Sequence, residues 1–314
     1  MLDVKSFDAI FSYDPRTHYL NDRLGEINKC RHTLDVLFIE RLLDSLGLKH
    51  AAQLYAPRDN RGLRELHHEI VTSNIAMHHK QALLYYILMD VQHPDEEEAE
   101  RFANEVDLPQ SYRWAIMGFW EMDQLDFRSA MDHLTHPSLL PTFSSDILAI
   151  LLVHSKDRTL PLAYHHAVSP PLPLGSDLRQ RYFQYLVSLS VKQAFFFTRS
   201  QPDRQELFKA LIKHILTEKA SAARADQAVD LVDLPMDAEE QEWWEDFLTG
   251  KGHGLPKAKD TLNMRDILTG REGRLLLPKK DRSDGTMIDG VDWSTFRSGV
   301  SKAMGPRSGM TTKY

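Results

Sequence analysis

Apolar and polar residues recur along most of this chain with the period of an α-helix, and one stretch sets the pattern. In residues 109–137, PQSYRWAIMGFWEMDQLDFRSAMDHLTHP, the residues Tyr112, Ile116, Phe119 and Trp120 are spaced by four, three and one, which is one face of a helix. Pro109 suits the first turn, where its missing N–H has no partner to lose. After a short polar break, Phe127, Ala130, Met131 and Leu134 repeat the pattern at i, i+3, i+4 and i+7. Asp126 stands where its carboxylate takes the free amides of a helix start, and Pro137 stops the helix. The prediction is a helical hairpin with a tight turn. Bulky Phe119 and Trp120 are expected between helices, and small Gly118 and Ala130 let backbones approach. A hairpin this apolar must be sandwiched between others of its kind.

The rest of the chain reads in the same way. Residues 20–46 predict one long or two consecutive helices, and the loop APRDNRG precedes another at 63–73. Residues 76–91 are apolar on nearly every face, with Leu83 to Met89 in succession, so that helix is buried all round. The acids at 95–98 open the next helix at the favourable end of its dipole, with Ala99, Phe102, Ala103 and Val106 facing inward. Further helices are expected at 143–154, in LPLAYHHAV, at 203–219, 220–232 and 236–248. Residues 177–199 predict two short helices or one kinked near Ser188-Leu189-Ser190. In the lead, residues 1–20, Phe7, Ile10 and Phe11 are available to dock on the body. No strand–helix alternation occurs, which argues against a parallel sheet. With no fixed repeat length, the expected fold is all-α: an irregular α-solenoid of antiparallel helical hairpins.

Charge divides the chain. Residues 251–314 carry 13 Lys and Arg against 7 Asp and Glu, and hold 9 of the 15 glycines. Residues 1–250 carry 25 basic and 38 acidic groups. The expectation is therefore an acidic helical domain at 1–250, then a flexible, basic, glycine-rich tail at 251–314, with the body folding without the tail. Two weak islands stand in that tail. LNMRDIL at 262–268 has the length of two helical turns. Trp293, Phe296, Val300 and Met304, spaced by three, four and four, form a stripe of the kind that folds on a protein partner. Docking back on the body is the competing reading.

Composition then narrows the function. Apolar residues at 42 % and charged residues at 26 % fit a soluble globular protein. The opening MLDVKSFDAIF has acids and no apolar core, so no signal peptide is expected. The most apolar run, 182–197, is broken by Gln184, Ser188, Ser190, Lys192 and Gln193, too polar and short to span a bilayer. Cys30 is the only cysteine, which excludes disulfides within the chain and thiolate zinc sites and suits a reducing compartment. Cys30 lies in a helical apolar pattern, where a buried structural thiol is expected.

Fifteen histidines invite a metal reading, but the pairs His67-His68, His78-His79 and His165-His166 point about 100° apart on a helix and do not chelate together. A di-iron bundle needs two Glu-x-x-His motifs, and only Glu65 with His68 is present. His133 and His136 share a face without a third ligand. Phosphate-cradling glycine loops and nucleophile elbows are absent. Asp123 and Asp126 both read as caps of the hairpin turn. Trp114, Trp120, Trp243, Trp244 and Phe195 to Phe197 read as core or interface. The basic residues Lys257, Lys259, Lys279, Lys280 and Arg282 are interleaved with acids, and the acidic body opposes steering towards nucleic acid. The body reads as architecture: no enzyme, no cofactor, no metal and no small-molecule substrate are expected.

Two blocks carry a family resemblance. GFWEMDQLDFRSAMDHLTHP, taken with KQALLYYILMDV at 80–91, resembles the helical domain of the ELYS family of nuclear-pore proteins, roughly over residues 33–248 in helix order. The resemblance implies a scaffold subunit of the Y-shaped outer-ring complex at the nuclear envelope. Such a subunit acts in pore assembly and nucleocytoplasmic transport, with other Y-complex scaffold nucleoporins as partners. Larger animal members add a β-propeller before this domain and an AT-hook region after it. Here the sequence starts directly with helices and has no Arg-Gly-Arg-Pro, so chromatin contact is not part of the expectation. The alternative reading is an unrelated helical-repeat adaptor of the cytosol, and a third is a helical enzyme using the histidines.

Overall fold

Several helices of this chain begin where a side chain takes up their free amides. Asp59, Asp126, Ser190 and Asp237 each stand at an N-cap and accept the amide three residues on, from Gly62, Ser129, Gln193 and Glu240. A computed structural model describes residues 2–11, 21–91, 97–217 and 222–270. Among them are 17 α-helices and no strand, and the fold is all-α. The helices group into two units, Met1–Leu189 and Ser190–Tyr314. Within each, consecutive helices of unequal length pair as hairpins, the building plan of an irregular α-solenoid.

The first unit contains α1 (Phe7–Ile10), α2 (Asn21–Leu34), α3 (Phe38–Ser45), α4 (Lys49–Leu54), α5 (Asn60–Thr72) and α6 (Met77–Val91). It continues with α7 (Glu98–Glu105), α8 (Gln110–Asp123), α9 (Phe127–Leu134), α10 (Ser144–His154), α11 (Leu160–Val168) and α12 (Asp177–Leu189). Its core lies around α6 and α8. Every residue of α6 from Gln81 to Asp90 is buried, as its unbroken apolar run predicts. α8 packs on α9, α6, α3 and α2. Phe38 of α3 stacks on Phe119 of α8, with ring centroids 5.7 Å apart. Phe143 closes this aromatic cluster 5.8 Å from Phe119, its backbone at φ 53°, a left-handed conformation uncommon for a bulky residue. The lead docks as expected: Phe7, Ile10 and Phe11 are buried, and both phenylalanine rings meet the His67 ring of α5 edge-on.

The second unit contains α13 (Val191–Arg199), α14 (Arg204–Thr217), α15 (Ala222–Val232), α16 (Ala238–Thr249) and α17 (Ala258–Leu268). Trp244, Phe195 and Phe208 fill its core. Of the two readings for residues 177–199, two helices are found, with Ser190 ending the first and capping the second.

The compositional break at Gly250 does not mark the end of packing. α17 packs on α15 and α16, and its Arg265 is buried. That guanidinium donates to the carbonyls of Val232 (2.6 Å) and Leu234 (3.0 Å) and to Oε1 of Gln241 (2.7 Å). LNMRDIL is thus a docked helix in this structure and not a floating island. A charge count puts it on the tail side because a count does not distinguish a buried cation such as Arg265 from a solvated one.

Candidate functional site

Two carboxylates meet two tyrosine hydroxyls inside the first unit. Asp90, near the end of α6, is fully buried, and its Oδ1 accepts from Arg23 Nη2 at 3.0 Å and from Trp120 Nε1 at 2.9 Å. Its Oδ2 accepts from the Tyr55 hydroxyl at 2.6 Å. Arg23 also reaches Gln124 Oε1 at 3.0 Å, so one guanidinium joins α2 to α6 and to the end of α8. Asp123, the last residue of α8, accepts the amides of Phe38 (2.7 Å) and Ile39 (3.0 Å) and the hydroxyl of Tyr86 (2.8 Å). The Tyr55 and Tyr86 rings meet edge-on.

The electrostatics follow from burial. Burial pushes the Asp123 carboxyl up to about 7; its three donors pull the other way, and the Asp90 charge adds to the rise. Burial also holds the Tyr86 hydroxyl well above its ordinary value. For Arg23, burial opposes the charge, but Asp90 beside it leaves the net shift upward. Paired carboxylates with tyrosines resemble acid–base machinery, but these carboxylate oxygens are occupied by the protein's own donors. What they do is join α2, α3, α6 and α8.

Asp123 corrects the sequence reading. Asp126 caps α9, accepting the Ser129 amide at 3.2 Å and the Ser129 hydroxyl at 2.8 Å. Asp123 instead turns inward and caps α3, 85 residues earlier in the chain. The available signal was a vacancy: the N-cap position of α3 is Leu37, whose side chain accepts nothing.

The remaining hairpin residues divide between core and edge. Phe119, Phe127, Ala130 and Leu134 are buried, and Gly118 faces Leu134. Trp120 is half-buried, with its ring edge hydrogen-bonded to Asp90 where close packing between helices was expected. Tyr112, also half-buried, lies against the His78 and His79 rings. Trp293, Phe296, Val300 and Met304 lie outside the described residues.

Several histidines serve packing. His67 bonds the Val4 carbonyl at 3.1 Å, His133 meets Glu121 at 2.7 Å, and His165 stacks on Tyr182. Burial lowers the pKa of His67 and His165. Among the described residues, no three His, Cys, Asp or Glu side chains stand together as a metal site, and no helix is long and apolar enough to cross a membrane. Cys30 is buried.

The sequence model of the ELYS family, described as nuclear pore complex assembly, matches residues 36–251. The chain belongs to the ELYS family. Membership places it at the nuclear pore and sets aside an unrelated adaptor. The chain is 28 % identical over 207 residues to the protein ely5 of Schizosaccharomyces pombe, covering 66 % of each chain. It is 23 % identical over 222 residues to Protein ELYS of Xenopus laevis, covering 65 % of this chain and 9 % of that protein. It is 26 % identical over 183 residues to Protein ELYS of Homo sapiens, covering 54 % and 8 %. The matches thus span just under two thirds of the yeast relative and under a tenth of the vertebrate ones. The ELYS match contains Asp90, Asp123 and the α8–α9 hairpin, whereas Arg23 and α17 lie outside it.

Proposed function

We propose that this chain is a structural subunit of the nuclear-pore scaffold, seated in the Y-shaped outer-ring complex. Pore assembly and the transport that depends on it are served through protein–protein contacts, without catalysis. Its partners in this reading are other scaffold nucleoporins. One observation carries the reading: the region matched by the pore-assembly family, residues 36–251, covers most of the packed helical body. The buried polar centre supports it, because ionisable groups there join helices and leave no carboxylate oxygen turned to solvent. The stripe Trp293, Phe296, Val300 and Met304 is retained as a second attachment to the same partners.

Affinity capture of the full chain from its own cells, followed by identification of the retained proteins, is the test. Recovery of outer-ring scaffold proteins in stoichiometric amounts is expected. Recovery of none, with the protein away from the nuclear rim in live imaging, overturns the reading.

A further inference from the structure

We propose that a groove in the first unit, between α3, α4 and the start of α10, docks a basic amphipathic helix of another protein. The inference deepens the scaffold reading and rests on it only for the kind of protein that supplies the helix.

The groove holds about 490 Å³. Val36, Ala52 and Phe143 are its apolar lining, and Glu40, Arg41, Asp44 and Asp146 its charged lining. Val36 is 38 % exposed. Leu140, on the loop that leads into Phe143, is 90 % exposed, the highest value among the exposed large apolar side chains of the described residues. Neither stands on a frayed segment. The Val36 carbonyl accepts from Arg41 Nε at 3.3 Å. The Leu140 carbonyl accepts from Thr142 Oγ1 at 3.3 Å, the Leu139 amide bonds the His136 carbonyl at 3.0 Å, and Pro137 and Pro141 fix φ on either side. A backbone already held in place loses little entropy when a partner covers it.

Charge selects the occupant. Three carboxylates line this groove, and two of them are already paired with a guanidinium, which leaves one charge in excess. Arg41 is held by Asp146 at 3.0 Å, and Glu40 is held by Arg31 at 2.8 Å and by the Leu37 amide at 2.9 Å. Asp44 makes no ion pair among the described residues and is exposed. It also sits in the last turn of α3, where no basic residue stands and the helix dipole is itself negative. A carboxylate there is locally unfavourable, and such departures from helix chemistry mark places where another requirement acts. A lysine or arginine beside apolar residues, the chemistry of a basic amphipathic helix, meets both features together.

The test uses the full chain and two fluorescein-labelled helical peptides about 18 residues long, one of leucine and lysine and one of leucine and glutamate. The lysine peptide is expected to bind at least about tenfold more tightly than the glutamate peptide, and Asp44→Lys to weaken it about tenfold. Val36→Glu should weaken it as well, and Val229→Glu, in the second unit, should not. A benzophenone side chain at position 53, where exposed Gln53 lines the groove, should cross-link the lysine peptide, and one at position 229 should not. Melting curves check the fold of each variant; if Val36→Glu unfolds, Asp44→Lys alone decides. Equal binding of both peptides, no binding, undiminished binding to Asp44→Lys, or equal cross-linking from 53 and 229 overturns the proposal. Failure to capture scaffold proteins would count against the pore-scaffold reading alone.

Discussion

A methyl group placed on Gly118 would stand 2.5 Å from Cγ and 2.7 Å from Cδ2 of Leu134. At this point the Leu134 side chain of α9 fills the space that a side chain on α8 would need. Gly118→Ala gains about 1 kcal/mol of helix propensity and loses about 1–3 kcal/mol to overpacking, so net destabilisation is expected. Leu134→Ala in the same chain should recover part of the loss. Urea unfolding of both single variants and the double variant reads this coupling, and strictly additive effects would show that the contact is not tight.

Asp123 and Asp126 separate by location. Asp123→Ala strands two buried amides and the Tyr86 hydroxyl, at about 1–3 kcal/mol for each unsatisfied group. Asp126→Ala removes one exposed cap, typically about 1 kcal/mol. Chemical denaturation should rank Asp123→Ala as the more damaging by several-fold. Equal costs would mean that α3 is capped by something other than Asp123.

The pH dependence carries a definite sign. The folded pKa of Asp123, about 7, lies above its ordinary value of 3.8, so between them the folded protein holds a proton that the unfolded chain has released. The stability from this group is full below pH 3.8 and is lost as pH rises through about 7. The histidines His67, His79 and His165, lowered by burial, act oppositely: their contribution is present above 6.5 and is lost as pH falls. The difference in unfolding free energy between wild type and Asp123→Asn isolates the carboxyl. It should shrink as pH rises from 4 to 7, and a difference that grows over that range refutes the assignment.

Phe119 and Trp120 are neighbours with unequal work. Phe119 is buried against Phe38, and its truncation to alanine should cost about 3–5 kcal/mol. Trp120 is half-buried, and Trp120→Phe, which keeps most of the ring and removes the donor to Asp90, should cost about 1 kcal/mol. Thermal melting of the two variants decides it, and a larger loss from Trp120→Phe would relocate the core.

Truncation tests where the second unit ends. A chain stopping after Gly270 keeps α17 and should melt as the full protein does. One stopping after Gly250 leaves the Val232 and Leu234 carbonyls without Arg265, and should melt at lower temperature. Equal midpoints would mean that α17 adds nothing to this unit.

Much of this architecture was legible in the sequence because periodic apolar faces are local. The unbroken run from Leu83 to Met89, the inward set Ala99, Phe102, Ala103 and Val106, and the serine break at 190 each state their structure within a few residues. What stayed hidden is long-range and polar. Nothing near Asp123 says that it faces Phe38, and nothing near Arg23 says that it serves Asp90. Arg265 read as one more basic residue of a charged tail, because burial of a cation depends on carbonyls more than thirty residues away. The candidate docking groove was hidden for the same reason, since it exists only where α3, α4 and α10 come together.

In a one-dimensional stack, each repeat touches only its neighbours and can peel away from an end while the rest holds. The first unit is wired differently, because α8 closes the start of α3 and holds Arg23 of α2 through Gln124. Pulling α8 out of place therefore releases α2 and α3, both far from it in sequence, in one event. The first unit is therefore expected to come apart in one cooperative step, with no progressive fraying from its ends.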